Sequence, residues 1–156
     1  MFSNQALAQI ESEIAKYPAE RKQSAVMAAL TIAQREKGWI SEEVMGYVAQ
    51  LLGLQPIQVA EVATFYSMYE LEPVGRHKIS LCTNVSCMLR GCGDIVAHLE
   101  NRLGIRIGET TTDGRFTLKE VECLAACGGA PMMQIGDDYY EDLTPERVDA
   151  ILAELE

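Results

Sequence analysis

The chain has 156 residues, 48% of them hydrophobic and 23% charged, with a formal net charge of −10. This composition fits a folded globular chain, long enough for one domain or two small packed units, and excludes a disordered one. The negative charge argues against a nucleic-acid face and against a direct grip on an anionic membrane, and fits a basic protein partner or simple solubility.

No run of about 18 apolar residues is present, and the opening residues Met1-Phe2-Ser3-Asn4-Gln5 lack the basic and apolar regions of a signal peptide. The chain is therefore expected to be neither inserted nor exported.

The first seventy residues read as helices. Leu7, Ile10 and Ile14 recur at the spacing of one helical face, and Val26, Leu30 and Ala33 do so again before Gly38. Ser41 is a cap for a third helix, with Glu42 and Glu43 at the positive end of its dipole and Val44, Val48, Leu51 and Leu52 inward. Pro56 suits the first turn of a fourth, with Val59, Val62, Ala63 and Tyr66 inward. Short connections predict a compact bundle, and nothing in it resembles a catalytic constellation.

Pro73-Val74-Gly75 marks a boundary, because Pro and Gly punctuate elements and the periodicity changes after it. Two domains are expected, residues 1–74 and 75–156. Ile79 and Leu81 alternate with Lys78 and Ser80 in a strand that delivers Cys82 at its end. Cys92, Ile95, Val96, Leu99 and Leu103 then make an amphipathic helix closed by Gly104. Phe116 and Leu118 alternate in a second strand after an Asp113-Gly114 turn. Residues 132–140 read as a hairpin, with one of Tyr139 and Tyr140 packed and the other exposed. Thr144-Pro145-Glu146 opens a last helix with Val148, Ile151, Leu152 and Leu155 on its apolar face. The segment 105–112 has no assigned element. The fold class is α/β, a helical bundle followed by a unit with a mixed sheet.

All five cysteines lie between Cys82 and Cys127. An odd number in a reducing compartment does not make a disulfide framework. Cys82 and Cys87 enclose four residues, Cys123 and Cys127 enclose three, and each pair lies where a strand runs into a loop. Two such loops at one end of a sheet can present four thiolates to one centre. That suits a [2Fe-2S] cluster, in which each tetrahedral iron takes two thiolates besides the bridging sulfides. Four thiolates also suit zinc, although structural zinc sites more often use two-residue spacings, and inert or redox-active thiols stay open as a third reading. The spacing favours iron and sulfur.

Cys92 falls on a helical stripe and is read as a small core hydrophobe rather than a spare ligand. The stretch Gly91-Cys92-Gly93-Asp94-Ile95-Val96 imitates a dinucleotide fingerprint but has Val96 where its third glycine belongs, so no nucleotide site is assigned. His77 and His98 are read as solvated surface, and Met132 and Met133 as core filler.

Five motifs occur in order: Val62-Ala63-Thr64-Phe65-Tyr66, Pro73-Val74-Gly75-Arg76, Cys82-Thr83-Asn84-Val85-Ser86-Cys87, Thr111-Thr112-Asp113-Gly114-Arg115-Phe116-Thr117-Leu118 and Glu122-Cys123-Leu124-Ala125-Ala126-Cys127. With them the chain resembles the E-subunit family of respiratory complex I over nearly its whole length. The resemblance implies a thioredoxin-like [2Fe-2S] ferredoxin domain behind a helical domain, with Cys82, Cys87, Cys123 and Cys127 as ligands and no catalytic residues. It implies an electron carrier within NADH-quinone oxidoreductase, taking electrons from the FMN of a neighbouring F subunit that also binds NADH, beside a larger iron-sulfur G subunit. The setting it implies is cytoplasmic and peripheral to the inner membrane, without nucleic acid or membrane insertion. The same module occurs in NAD-dependent formate dehydrogenases and soluble hydrogenases. Alanine at position 125 departs from the glycine often found there, and Gly129 stands near a position that is often polar. Cys92 is not a family ligand.

Overall fold

The computed structural model describes residues 2–155, which fall into two compact units, Met1–Pro73 and Val74–Glu156.

The first unit is helical. α1 (Asn4–Ile14) is capped by Ser3, whose side chain accepts from the Ala6 N–H, and α2 spans Val26–Lys37. α3 (Glu42–Leu52) is capped by Ser41, and α4 spans Pro56–Phe65 with Pro56 in its first turn. Ile10, Leu30, Ile40, Val48 and Val59 are fully buried between them. The Glu36 carboxylate accepts from the Ser3 N–H at 2.9 Å and from its hydroxyl at 2.7 Å, tying the start of α1 to the end of α2.

Two expectations for this unit differ from the structure. A short 3-10 segment, Ala19–Ala25, precedes α2; its sequence has no apolar period to announce it. Tyr66 does not continue the buried face of α4 but is extended (φ −94°) and exposed. The chain turns there because the next residues are held by α2: the Glu70 N–H donates to Gln34 Oε1 at 2.7 Å, Gln34 Nε2 donates to the Met68 carbonyl at 3.0 Å, and Tyr69 Oη donates to the Met27 carbonyl at 2.9 Å.

The second unit holds a four-stranded mixed sheet in the order β2-β1-β3-β4, where β1 is His77–Cys82, β2 Phe116–Val121, β3 Met133–Ile135 and β4 Asp138–Tyr140. β1 runs parallel to β2 and antiparallel to β3, and β3 pairs antiparallel with β4. Parallel neighbours need a crossover, which α5 (Val85–Leu89) and α6 (Cys92–Leu103) provide; α7 (Pro145–Glu154), capped by Thr144, follows the hairpin.

Ile79, Leu81, Leu99, Leu118, Met133 and Val148 are fully buried in one core. Each such aliphatic side chain contributes roughly 1.5–3 kcal/mol by leaving water. The unassigned segment 105–112 pairs with the outer edge of β2. The Gly108 N–H donates to the Leu118 carbonyl at 2.7 Å, and the Thr111 N–H donates to the Phe116 carbonyl at 2.8 Å. The edge is thereby satisfied.

Gly75 has a steric reason to be glycine. A Cβ there would lie 2.9 Å from the Phe116 carbonyl carbon, and its N–H donates to Thr117 Oγ1 at 2.6 Å. His98, read as solvated, is instead part-buried: its Nε2 lies 3.1 Å from Asp149 Oδ1 on α7, which also accepts from Arg102 Nε at 3.2 Å. The polar pair arises between segments far apart in sequence. Among the described residues, no helix is long and apolar enough to cross a membrane.

Candidate iron-sulfur site

The register of the sheet builds the site. Cys82 is the last residue of β1 and pairs with Val121, the last of β2, so the two following loops leave the same end of the sheet. The Thr83 N–H donates to the Val121 carbonyl and the Cys82 N–H to the Met132 carbonyl, each at 3.2 Å, which fixes Cys82 against both neighbours.

Cys87 sits on α5 rather than in an open loop. Asn84 caps this short helix by accepting from the Val85 N–H at 2.8 Å, and the cap turns Cys87 inward, 2% exposed, to pack with Cys82. Arg90, at its C-terminal end, donates from Nε to the Ala130 carbonyl at 3.2 Å, joining α5 to the second cysteine loop.

In that second loop Cys123 and Cys127 are exposed. The Ala125 N–H donates to Cys123 Sγ at 3.3 Å. Ala125 has φ +59°, the left-handed region in which glycine is unstrained, so the structure explains why that position suits glycine. Cys127 opens a 3-10 turn, Cys127–Gly129. Gly129 is buried, and a Cβ on it would stand 2.5 Å from the Glu141 side chain, so close packing excludes any larger residue unless Glu141 moves.

Burial opposes ionisation of the Cys82 thiol. It is outweighed by hydrogen bonds from the Asn84 and Leu124 N–H groups and from the Cys87 and Cys123 thiols, which hold the Cys82 pKa below the ordinary thiol value. Cys87 moves the other way: burial, together with the hydrogen bond it gives to Cys82, pushes it up to about 11, although the Met132 N–H offsets part of this. Of these two buried thiols Cys82 is thus the more acidic.

Cys87 is buried against Cys82, and Cys123 lies close enough to act on the acidity of Cys82, while Cys127 follows in the same loop as Cys123. Among the described residues, no three His, Cys, Asp or Glu side chains form a ready cage for a single ion. What is ready is a set of backbone N–H groups, of Asn84, Leu124, Ala125 and Met132, directed at sulfur. Such donors stabilise negative charge on thiolates, which is the requirement of a four-thiolate iron-sulfur group, so the donor set fits one.

Cys92 is buried as expected, but with Cys82 and Cys87 rather than in the main core; burial, then the nearby Cys82 and Glu120 charges, raises its pKa. Met132 and Met133 are fully buried, and Tyr139 is exposed while Tyr140 is part-buried. Sequence reasoning missed the N–H donors, Arg90 and the Tyr139 hydroxyl, which donates to the Leu124 carbonyl at 3.0 Å. Of these only the Asn84 cap has a sequence signal, an Asn directly before a short helix.

Residues 10–156 match the family model of the thioredoxin-like [2Fe-2S] ferredoxins. The chain belongs to that family. It is 53% identical over 144 residues to the E 2 subunit of NADH-quinone oxidoreductase from Rhizobium meliloti (strain 1021), covering 92% of this chain and 84% of the relative. The E subunit of NADH-quinone oxidoreductase from Rickettsia bellii (strain RML369-C) is 46% identical over 155 residues, covering 99% and 93%. The mitochondrial NADH dehydrogenase (ubiquinone) flavoprotein 2 of Dictyostelium discoideum is 48% identical over 92% of this chain, which spans 58% of that relative. These relatives bear out the resemblance to the E-subunit family. A chain of an NAD+-reducing [NiFe]-hydrogenase crystal structure shares the fold, with a TM-score of 0.70 at 21% identity over 81% of this chain and 22% of that one.

Proposed function

We propose that this ferredoxin-family chain is the electron-transferring E subunit of an NADH-quinone oxidoreductase, holding one [2Fe-2S] cluster on Cys82, Cys87, Cys123 and Cys127. The observation that carries it is the end-to-end register of β1 and β2, which brings two cysteine pairs some forty residues apart to one sheet end among N–H donors aimed at sulfur. The E-subunit names of relatives 46–53% identical to this chain support the host.

The cluster, when bound, supplies a one-electron store; the rest is done by the chain. Cys82 is more acidic than Cys87, so loading the site releases protons from thiols of unequal acidity. The N–H groups of Asn84, Leu124, Ala125 and Met132 then hold the sulfur charge and offset part of the added negative charge when an electron arrives. Against them works the acidic chain, whose net charge of −10 disfavours that electron and lowers the potential.

In this reading the isolated chain is a carrier and not a catalyst. Electrons come from the FMN of a partner F subunit that also binds NADH, with a larger iron-sulfur G subunit in the same assembly, and the chain sits at the cytoplasmic face of the inner membrane through the complex. A place in a formate dehydrogenase or soluble hydrogenase is the second assembly of this kind, supported by fold likeness alone. A zinc-stabilised adapter would use the same sulfurs; membership of the ferredoxin family favours iron and sulfide.

Anaerobic purification followed by iron and acid-labile sulfide analysis tests the reading. About two of each per chain is expected, with a visible spectrum that NADH bleaches once the flavin-binding partner is present. One zinc per chain without colour would sink it.

A further inference from the structure

α5 carries two functions on its five residues. Its inward side holds Cys87, 2% exposed, whereas Val85 is 55%, Met88 61% and Leu89 79% exposed. Positions i, i+3 and i+4 share one helical face, so these three make a continuous apolar patch. Folding does not reward such a face on a one-turn helix, and soluble chains seldom leave contiguous apolar patches without use.

The patch lies beside the sulfurs. The residue before α5, Asn84, gives its N–H to Cys82, and the residue after it, Arg90, is anchored to Ala130 in the second cysteine loop. Carboxylates lie on the segments next to α5 and on the second cysteine loop. Glu120 accepts from Thr83 Oγ1 at 2.6 Å, Glu122 directly precedes Cys123, Glu141 packs on Gly129, and Asp94 and Asp142 lie on the flanking segments. Arg90 and Lys119 are the basic residues of these same segments.

We infer that the outward face of α5, Val85, Met88 and Leu89, is the docking surface for the redox partner of this chain, a protein with an apolar centre and a Lys/Arg rim around its own cofactor. The inference rests on the electron-transfer reading and names its contact surface. An apolar centre excludes water where the centres approach, and the acidic rim steers a basic partner into register. A second copy of this chain does not fit, because its acidic rim would face this one.

The test uses the full chain loaded with its iron and sulfide, and the purified flavin- and NADH-binding protein as partner. Dissociation constants and NADH-driven bleaching rates are compared for the wild type, Met88→Glu/Leu89→Glu, and the conservative Met88→Leu/Leu89→Met, each with a wild-type visible spectrum before mixing. The charged pair is expected to weaken binding at least about tenfold and slow bleaching, the conservative pair to bind within about twofold, and rising salt to weaken the wild-type complex. Wild-type affinity in the charged pair would overturn the docking surface while leaving electron transfer intact. Loss of affinity in both pairs alike would also overturn it, as would a wild-type homodimer in sedimentation that the charged pair abolishes. A wild-type chain that carries iron and sulfide but neither binds nor bleaches would overturn the functional reading, and the docking surface with it.

Discussion

The Tyr139 hydroxyl donates to the Leu124 carbonyl across 3.0 Å, so the outer strand β4 holds the start of the loop between Cys123 and Cys127. Tyr139 is half exposed, which places the bond at the low end of the usual net 0.5–1.5 kcal/mol, roughly. Tyr139→Phe is expected to leave the fold and the iron content unchanged but to let a chelator strip iron several-fold faster. Equal stripping rates in the two proteins would show that the loop is held by other contacts.

Cys123 and Cys92 should separate cleanly. Cys123→Ser removes a proposed ligand, so the reduced protein is expected to lose its EPR signal. Cys92→Ala removes a buried sulfur that only packs, costing about 1 kcal/mol of stability while the signal persists. A signal lost from the Cys92 variant and kept in the Cys123 variant would exchange the two assignments.

The positive φ of Ala125 stores strain that glycine would not. A left-handed L-residue costs roughly 1–2 kcal/mol, of which the greater freedom of glycine in the unfolded chain takes back a part. Ala125→Gly is therefore expected to raise the thermal midpoint by a few degrees, and Ala125→Val to lower it. A lower midpoint in the glycine variant would mean that position 125 is not strained in solution.

His77 gives a pH dependence whose sign is fixed. Partial burial, then the Arg76 and Arg115 charges, lowers its pKa from the ordinary 6.5. The folded state thus binds the proton less well than the unfolded state. Its contribution to stability is fully present above pH 6.5 and is lost as pH falls from there through the folded pKa. Urea midpoints measured downward from pH 7 should fall less steeply in His77→Gln than in the wild type. Parallel curves would rule His77 out as the cause.

Leu118 is fully buried at the centre of β2, and truncating it to alanine should cost about 2–5 kcal/mol. The same truncation at Leu89, 79% exposed, should leave the urea midpoint of the isolated chain unchanged. The comparison distinguishes a residue kept for packing from one that folding does not need.

Much of this was legible from residue order alone. The helix cap at Ser41 is a local signal, and so is the inward set Ile10, Leu30 and Val48; alternation at Ile79 and Leu81 sufficed to place Cys82 at a strand end. What escaped has physical reasons. α5 spans less than two turns, too short for periodicity to register, and Ala19–Ala25 has no apolar pattern. Tyr66 keeps the helical spacing of α4, yet the backbone leaves the helix there because Gln34, more than thirty residues away, anchors the following chain. The His98–Asp149 pair and the N–H groups that face sulfur depend on tertiary placement, which spacing along the chain does not encode. The cysteine pairs were the opposite case, since their arrival at one sheet end follows from their places after two strands that the alternation marks.

The pairing of Cys82 with Val121 also imposes an order on biogenesis. A nascent chain that has emerged only through α6 has a first pair of sulfurs but no β2 beside β1, and no second pair at all. With the proposed ligand set, iron and sulfide can be held only after the chain past Cys127 has left the ribosome, so the competent acceptor is a folded scaffold rather than an extended polypeptide.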